Sequence, residues 1–213
     1  MIIHPYSYQN ARILVAELTK TSTEMVCDLL NFDIYSSEYQ SFKNEKRRRE
    51  FLGVRIALNI LLGKNVLVLY DENNKPRLLD NSFQISISHS GNFIAVIAHP
   101  DCVVGIDIES RTNKVLKVFT RFLNKNEQTE FYNENDTRAL EIAWSAKEVL
   151  YKIIGREVLD FAKQLHISPF QLSESGELKA LQVSGSKEFT LKYFQNKLYT
   201  LVFCLDKIIS YET

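Results

Sequence analysis

The sequence predicts an α+β fold made of two similar halves, each a helix packed on a small antiparallel sheet. Three observations favour this class: two long helical stretches, a strand hairpin after each of them, and the composition of a soluble globular protein. Hydrophobic residues fill 45% of the 213 positions and charged residues 24%, which are ordinary shares for a chain with a well-formed core. The length suits one large domain or two small ones.

The first half shows helical periodicity followed by strand alternation. The helical stretch ends at Gly63, a residue type that often terminates helices. A Gly91-Asn92 turn separates the last two strand-like runs, which predicts a hairpin. The predicted elements are a helix at about 41–62, a strand at 66–70, a polar turn at 71–74, and a hairpin of 83–88 with 93–98.

The second half repeats this order of elements. Its helical stretch ends at Gly155, and a connecting segment with a turn at 173–176 follows. The predicted elements are a helix at about 136–154 and a hairpin of 189–194 with 198–205 around a turn at 195–197.

The repeat has two explanations. Helix, turn and hairpin form a common succession that needs no special origin. A tandem duplication would instead give two halves related by a pseudo-twofold axis, and clefts between such halves are favoured ligand sites. We place the division after residue 103, which gives an N-terminal half at 1–103 and a C-terminal half at 104–213.

Charge, cysteine content and hydropathy narrow the class of protein. Lys+Arg and Asp+Glu both total 26, so the net charge of zero argues against a general nucleic-acid binder. Three scattered cysteines, Cys27, Cys102 and Cys204, are typical of reduced thiols in the cytosol. Polar residues interrupt the start of the chain, and no apolar run approaches the ~20 residues that span a bilayer. A cytoplasmic protein without membrane contact is expected.

Two carboxylates stand among aliphatic residues in a strand-like run. Asp107 and Glu109 are two positions apart, so their side chains are expected on one face, with Val104, Ile106 and Ile108 on the other. Adjacent buried carboxylates repel each other, and Mg²⁺ relieves that repulsion because it prefers oxygen ligands. The alternative is an exposed strand end with two solvated acids.

The second helical stretch carries a polar stripe on an otherwise apolar surface. Glu141, Ser145, Glu148 and Lys152 follow one another at spacings of four, three and four. A helix this apolar is expected to be largely buried, so the stripe faces a cleft or buried partners. A third metal-binding carboxylate and a phosphate-facing lysine would explain it. A surface ion pair between Glu148 and Lys152 is the simpler alternative.

These segments resemble a known family. Gly105-Ile-Asp107-Ile-Glu109 and Trp144-Ser-x-Lys147-Glu148-x-x-x-Lys152 are similar to the paired signatures of the 4′-phosphopantetheinyl transferase superfamily. Chain length and the doubled pattern are similar to its monomeric surfactin-type branch. The motif-bearing resemblance covers about residues 45–152. It implies that the active site lies in the cleft between the two halves and that Asp107, Glu109 and Glu148 bind Mg²⁺, with Mn²⁺ as the alternative.

Three further segments resemble the coenzyme A site of the family. The basic run at 46–55 is similar to its nucleotide-binding helix, in which Arg48 and Arg55, seven positions apart, could reach one polyanion. Asn74-Lys75-Pro76 is similar to a Gly-Lys-Pro turn, and Ser88-His89-Ser90 to a Ser-His-Ser motif that meets the pyrophosphate. The resemblance implies that coenzyme A is bound by Arg48, Arg55, Lys75, Pro76, Ser88, His89 and Lys152. A solvated helical face and a hairpin histidine without a ligand are the alternatives.

The reaction implied by the resemblance moves the 4′-phosphopantetheine arm of coenzyme A to a serine hydroxyl of an apo acyl or peptidyl carrier protein and releases 3′,5′-ADP. Its catalytic residues would be Glu148, Lys152 and His89. Glu148 is the candidate base, with Lys152 and a water as alternatives. Two other functions stay open, a Mg²⁺-dependent phosphohydrolase acting on a nucleotide or coenzyme A, and a non-catalytic coenzyme A-binding protein.

The segment between the two motifs is basic and aromatic. Residues 111–125 interleave cations with apolar side chains, which predicts an amphipathic basic helix that receives the carrier protein. Among its cations are Lys114, Lys117, Arg121 and Lys125. An ordinary surface helix with one core face is the alternative.

Overall fold

The computed structural model describes residues 1–155, 158 and 160–207. The chain divides into two compact units, Met1–Pro100 and a second unit that starts at Asp101. The break lies slightly before the division predicted after residue 103. Both units combine helices with antiparallel strands, so the predicted α+β class is confirmed. The pseudo-twofold relation stays a prediction.

The first unit contains a four-stranded antiparallel sheet in the order β1-β2-β6-β5 and a two-stranded sheet of β3 and β4. Its helices cover the core formed by Leu52, Leu58, Ile94 and their neighbours. In chain order the elements are β1 (Ile2–Tyr8), β2 (Ala11–Glu17), α1 (Ser22–Val26), α2 (Phe32–Ser41), α3 (Glu45–Leu62), β3 (Val68–Tyr70), β4 (Pro76–Leu78), β5 (Gln84–Ser90) and β6 (Phe93–His99).

The long helix α3 starts later than the sequence predicted. Its N-cap is Asn44, whose side chain accepts from the backbone N–H of Arg47, and Ser41 instead ends α2. At the other end Gly63 adopts a φ of 68°, which confirms it as the helix terminator. The hairpin of β5 and β6 is also confirmed, with Gly91 at a φ of 60° in its turn.

The sequence analysis missed the first hairpin of the chain. Strands β1 and β2 pair in register from Ile2 with Glu17 to Tyr8 with Ala11. Gln9 and Asn10 form the two-residue turn with φ values of 46° and 67°, the left-handed geometry that matches the twist of a hairpin. Asn is one of the residues that favours this conformation, so the turn left a local signal in the sequence.

The second unit contains a five-stranded antiparallel sheet in the order β7-β11-β10-β9-β8. Helix α6 packs across β7 and β11, and its apolar residues join those of the sheet in one core. In chain order the elements are β7 (Cys102–Ser110), a 3₁₀ helix (Asn113–Lys117), α4 (Phe119–Phe122), α5 (Lys125–Phe131), α6 (Arg138–Ile154), α7 (Phe161–Gln164), β8 (Leu165–Ile167), β9 (Ser175–Gln182), β10 (Lys187–Gln195) and β11 (Tyr199–Lys207).

Two predictions about the second unit were wrong in detail. Residues 111–125 do not form one amphipathic helix, because Val118, with φ −129° and ψ −6°, separates the 3₁₀ helix from α4. Val115 and Phe122 are buried on the two sides of this break, so packing of both apolar anchors bends the segment. The turn predicted at 173–176 overlaps the start of β9, which adds a third strand to the predicted hairpin.

Strand β7 and helix α6 approach each other closely at Gly105. A Cβ at this position would lie 2.7 Å from the carbonyl oxygen of Val149 and 3.0 Å from a carbon of the Ile153 side chain. The absence of a side chain therefore sets the spacing between the strand and the helix. No helix in the described part of the chain is long and apolar enough to span a membrane.

Candidate active site

Strand β7 holds the two acids of the first motif beside β11. Asp107 is opposite Val202 and Glu109 is opposite Thr200. Val104, Ile106 and Ile108 are buried as predicted, but Asp107 is also only 5% exposed. The strand is thus buried on both faces at this point, and the alternative of an exposed strand end with two solvated acids is wrong for Asp107.

The last turn of α6 brings Lys152 onto this strand. Its Nζ donates to Oδ1 of Asp107 at 2.9 Å and to the backbone carbonyl of Ile106 at 2.7 Å. The Lys152 side chain is a quarter exposed, whereas the Asp107 side chain is almost completely buried. Charge-assisted bonds of this kind are strong where water is excluded, so Lys152 ties the helix to the acidic strand.

Glu148 lies one turn before Lys152, within electrostatic reach of the other two acids. Burial raises the pKa of Glu148 to about 7, and the charges of Asp107 and Glu109 add to that rise, while Lys152 opposes it. The pKa of Glu148 on α6 is therefore coupled to the charges of Asp107 and Glu109 on β7. Three carboxylates opposite one ammonium group leave two formal negative charges in this cluster when all of them are ionised.

Trp144 orients the half-buried Glu109. The indole Nε1 donates to Oε1 of Glu109 at 3.0 Å, and the ring packs edge-on against Phe122 with centroids 5.0 Å apart. The sequence analysis treated Trp144 as an apolar motif residue. The signal was available, since a buried tryptophan usually finds an acceptor for its one N–H.

The predicted polar stripe of α6 is divided by the structure. Glu141 belongs to a separate buried network, because it accepts from Arg111 and from the hydroxyls of Thr137 and Thr200. The Ser145 side chain is fully buried, and in the described part of the chain its Oγ has no hydrogen-bond partner. Only Glu148 and Lys152 of the stripe join the strand acids.

A buried ion pair lies on another side of the same helix. Lys147 is fully covered, and its Nζ donates to Oε2 of Glu127 at 2.7 Å and to the carbonyls of Phe122 and Phe161. Oε1 of Glu127 accepts from the backbone N–H of Ile167 at 2.7 Å. Burial lowers the pKa of Lys147, and the Glu127 carboxylate counteracts that effect. This hub joins α6 to the segments before and after it, and the sequence analysis missed it.

The acid cluster fits a divalent cation in its chemistry. Burial, followed by the charge of Asp107, raises the pKa of Glu148, and a dication would favour the ionised form of this carboxylate by compensating the surplus negative charge of the cluster. The side chains are not arranged as a finished metal site, however. Across residues 1–155, 158 and 160–207, no group of three or more His, Cys, Asp or Glu side chains is placed to hold a metal ion. Lys152 bonds to Asp107 instead, so the ligand set of Asp107, Glu109 and Glu148 stays a prediction.

The arginines predicted to bind coenzyme A are engaged within the first unit. The Arg55 guanidinium stacks on Phe51, with its Cζ 3.4 Å from the ring centroid, and it also lies over Tyr35. The residue is 1% exposed, and burial lowers its pKa. Arg48 is half-buried over the ring of Tyr39, and its Nε donates to the carbonyl of Phe42. The Arg55 guanidinium could contact a phosphate only if it moved away from the rings of Phe51 and Tyr35.

The Asn-Lys-Pro turn has the geometry that its sequence suggested. Asn74 has a φ of 59°, the left-handed conformation that asparagine tolerates best among residues other than glycine. Asp71 caps the turn by accepting from the backbone N–H groups of Asn73 and Lys75 at 2.8 Å. Pro76 then starts β4 opposite Tyr70. The cap and the left-handed Asn74 fix the backbone conformation of the turn, and thereby the position from which the half-buried Lys75 side chain extends.

Ser88 and His89 end β5, where the strand passes from the core to the surface. Ser88 is 8% exposed, and the His89 side chain is 38% exposed. The Nδ1 atom of His89 lies 3.4 Å from Oε1 of Glu50 on α3, a buried carboxylate that the sequence analysis did not single out. The coenzyme A roles of these residues stay predictions.

The fold and the acid cluster define a protein with an α+β architecture and a buried carboxylate site that suits a cation. A comparison with family models finds one similarity. Residues 103–204 match the model described as the 4′-phosphopantetheinyl transferase superfamily. This stretch contains β7 and α6, and the match supports a transferase. No curated protein matches the chain. The surfactin-type branch stays a prediction.

Proposed function

We propose that this protein transfers the 4′-phosphopantetheine arm of coenzyme A to a serine hydroxyl of an apo acyl or peptidyl carrier protein, with release of 3′,5′-ADP. The observation that carries the proposal is the acid cluster itself, in which Asp107, Glu109, Glu148 and Lys152 come together inside the stretch that matches the family. Phosphoryl transfer depends mainly on positioning and charge neutralisation, and this cluster provides charged groups of both signs.

Asp107, Glu109 and Glu148 would hold the cation, Mg²⁺ or Mn²⁺. Such an ion supplies Lewis-acid polarisation of phosphate oxygens. Trp144 fixes the carboxylate of Glu109, and Lys152 holds that of Asp107. The indole contact limits the rotamers of Glu109, so less ordering of this acid is needed when a cation binds, whereas Asp107 would share its carboxylate between Lys152 and the cation.

Lys152 and Glu148 have the properties required for the proton and charge transfers. The Lys152 side chain is 25% exposed, and we expect its ammonium group to donate to a phosphate oxygen while it keeps its bond to Asp107. Glu148 has a pKa of about 7 in the protein without a cation, and a bound cation would lower that pKa because it favours the carboxylate form. With the cation in place Glu148 would therefore be ionised, and it would accept the serine proton directly or through a water.

In the first unit, His89 and Lys75 would bind phosphate groups of coenzyme A, with Pro76 and Ser88 shaping the backbone around them. Arg48 and Arg55 would hold the nucleotide phosphates. Lys75 and His89 have accessible side chains at the ends of turns or strands. For Arg55 the proposal includes a displacement of the guanidinium from the rings of Phe51 and Tyr35.

The basic segment remains the proposed receiver of the carrier protein. Lys114, Lys117, Arg121 and Lys125 are exposed on the 3₁₀ helix, α4 and the start of α5. Carrier proteins of this reaction class are usually acidic near the modified serine. We expect Lys117→Glu with Arg121→Glu to raise the KM for the carrier and to leave coenzyme A affinity unchanged. An unchanged carrier KM would contradict this docking surface.

The decisive experiment is intact-mass analysis of an apo carrier protein incubated with coenzyme A, Mg²⁺ and this protein. A gain of one phosphopantetheine on the carrier is the expected result. Release of 3′,5′-ADP from coenzyme A without a carrier would instead indicate a phosphohydrolase. Binding of coenzyme A with neither product would indicate a non-catalytic protein of the same fold. The monomeric state and the cytoplasmic location belong to the proposal as well.

A further inference from the structure

Glu50 lies where it can control the ring of His89. It is on α3, is 6% exposed, and directs Oε1 toward Nδ1 of the imidazole at 3.4 Å. His89 is at the end of β5, so the contact joins a helix to a strand that is far from it in sequence. The motif comparison included His89 but not Glu50, which therefore has no role in the proposed function.

The burial of Glu50 needs an explanation. A carboxylate removed from water is unfavourable without charged or hydrogen-bonding partners. Lys46 and Arg47, one turn earlier on α3, lie 3.6 and 3.7 Å from its oxygens, but their side chains are 63% and 53% exposed. Exposed helix pairs contribute little. The His89 imidazole, on strand β5, is a partner of the Glu50 carboxylate that comes from outside α3.

The contact has a chemical consequence for the ring. An ionised carboxylate only accepts hydrogen bonds, so the Nδ1 that faces Glu50 carries the proton in this contact. A neutral ring would then present Nε2 as an acceptor, which disfavours a phosphate oxygen. A doubly protonated ring presents Nε2–H as a donor, and an adjacent carboxylate favours that charged form. By favouring the doubly protonated ring, Glu50 would make Nε2–H available as a hydrogen-bond donor to an anionic ligand.

We propose that Glu50 is a positioning residue that holds the His89 ring through Nδ1, so that Nε2–H donates to a diphosphate oxygen of the ligand. The identity of that ligand as coenzyme A rests on the proposed function. The coupling between the two side chains does not, and it can be measured on the protein alone. Lys46 and Arg47 face the same carboxylate and would repel a charged ring once Glu50 is neutralised.

The first measurement is the titration of ring nitrogens in protein labelled with ¹⁵N-histidine. The chain has four histidines, and His89→Ala identifies the signals of His89. In Glu50→Gln we expect the pKa of His89 to fall by about one unit, equivalent to a tenfold change in the protonation equilibrium. In Glu50→Ala the share of the Nδ1–H tautomer above that pKa should also fall. Unchanged ring signals in both variants would overturn the inference.

The second measurement is coenzyme A binding by calorimetry in a double-mutant cycle. Glu50→Gln should weaken binding about tenfold in the wild-type background, as expected for the loss of one unit of pKa, and by less than about twofold in a His89→Ala background. Equal losses in both backgrounds would show that Glu50 does not act through His89 and would overturn the inference.

Glu24→Gln is the matched control. It makes the same charge change in the same unit, at the capping box of α1 with Thr21. We expect it to lower stability and to leave the His89 titration and coenzyme A affinity unchanged. If the wild-type protein does not bind coenzyme A, the proposed function fails, and the ring titration alone decides whether Glu50 positions His89.

Discussion

Nε1 of Trp144 donates a hydrogen bond to Oε1 of Glu109 at 3.0 Å, and this bond joins helix α6 to strand β7 at the acid cluster. We expect Trp144→Phe to keep the ring packed against Phe122 and to release the carboxylate. Loss of an outer-shell contact of this kind typically costs about 10- to 100-fold in metal affinity or activity. Phosphopantetheine transfer, measured as a function of Mg²⁺ concentration, checks the effect.

Tyr132→Phe is the control for that experiment. It also removes one polar atom from a stacked aromatic side chain, since Tyr132 stacks on Phe119 with centroids 4.8 Å apart. Its Mg²⁺ dependence should equal that of the wild type. If Trp144→Phe behaves in the same way, Glu109 does not need the indole for its orientation.

Neutralising Asp107 or Glu148 should remove transfer while the protein stays folded. For Asp107→Asn and Glu148→Gln we expect a loss of about 10²- to 10³-fold, comparable with removal of a principal electrostatic group from an active site. Circular dichroism should show an unchanged fold. Full activity in either variant would refute the proposed metal site.

The apo protein should become less stable as the pH rises through neutrality. The folded-state pKa of Glu148 is about 7, against 4.5 for an ordinary glutamate. Between these values the native state binds more protons than the unfolded state, so the free energy of unfolding falls as pH increases. A shift from 4.5 to about 7 corresponds to a full effect of about 3.4 kcal/mol. Denaturation in urea with a chelator, at pH 5 and pH 8, measures it.

Glu148→Gln supplies the comparison for this pH dependence. The amide does not titrate, so its free energy of unfolding should lack the component that wild type loses between pH 5 and pH 8. Parallel pH profiles for the two proteins would mean that Glu148 is not protonated near neutral pH in the folded protein.

The buried pair of Lys147 and Glu127 should contribute far more to folding than an exposed pair. Lys147→Met leaves the Glu127 carboxylate buried without its cation, which costs about 3–5 kcal/mol in typical cases. Lys179→Met breaks the pair between Lys179 and Glu188, whose side chains are 58% and 59% exposed, and should cost much less because exposed ion pairs contribute little to stability. Equal losses in urea denaturation would contradict a structural role of the hub.

Gly105→Ala should destabilise the second unit. Its added methyl group meets the backbone carbonyl of Val149 at 2.7 Å, and overpacking of this kind costs about 1–3 kcal/mol. Gly185→Ala is the control, since its methyl group would lie 3.8 Å from Gln182, an ordinary contact. A shift in the thermal midpoint confined to Gly105→Ala is the expected result.

The parts of the fold that were predicted from sequence are those with a local signal. Gly63 ends α3, Gly91 lies in the β5–β6 turn, and the apolar periodicity of α6 marks it as a buried helix. The break at Val118 had no such signal, because it results from the burial of Val115 and Phe122 by other elements. Tertiary packing decides such boundaries.

In the candidate site, too, local spacing predicted some groupings of residues, and contacts between distant segments were missed. Spacing was sufficient to group Glu148 with Lys152, because residues four apart share a helix face. It did not separate them from Glu141, whose partners Arg111 and Thr200 come from distant parts of the chain. The contacts of Glu50 with His89 and of Trp144 with Glu109 also join distant segments. Such pairs become visible only when the fold brings them together.

The complete cover over Lys147 makes this side chain a natural reporter. Its amine is enclosed by Glu127 and two carbonyl groups, so a reagent that acylates lysines should leave it unmodified in the native protein. Labelling of the Lys147 amine, followed by peptide mass mapping, would then record how often α6 separates from the segments around Lys147. The same experiment would show whether coenzyme A or a cation slows that separation.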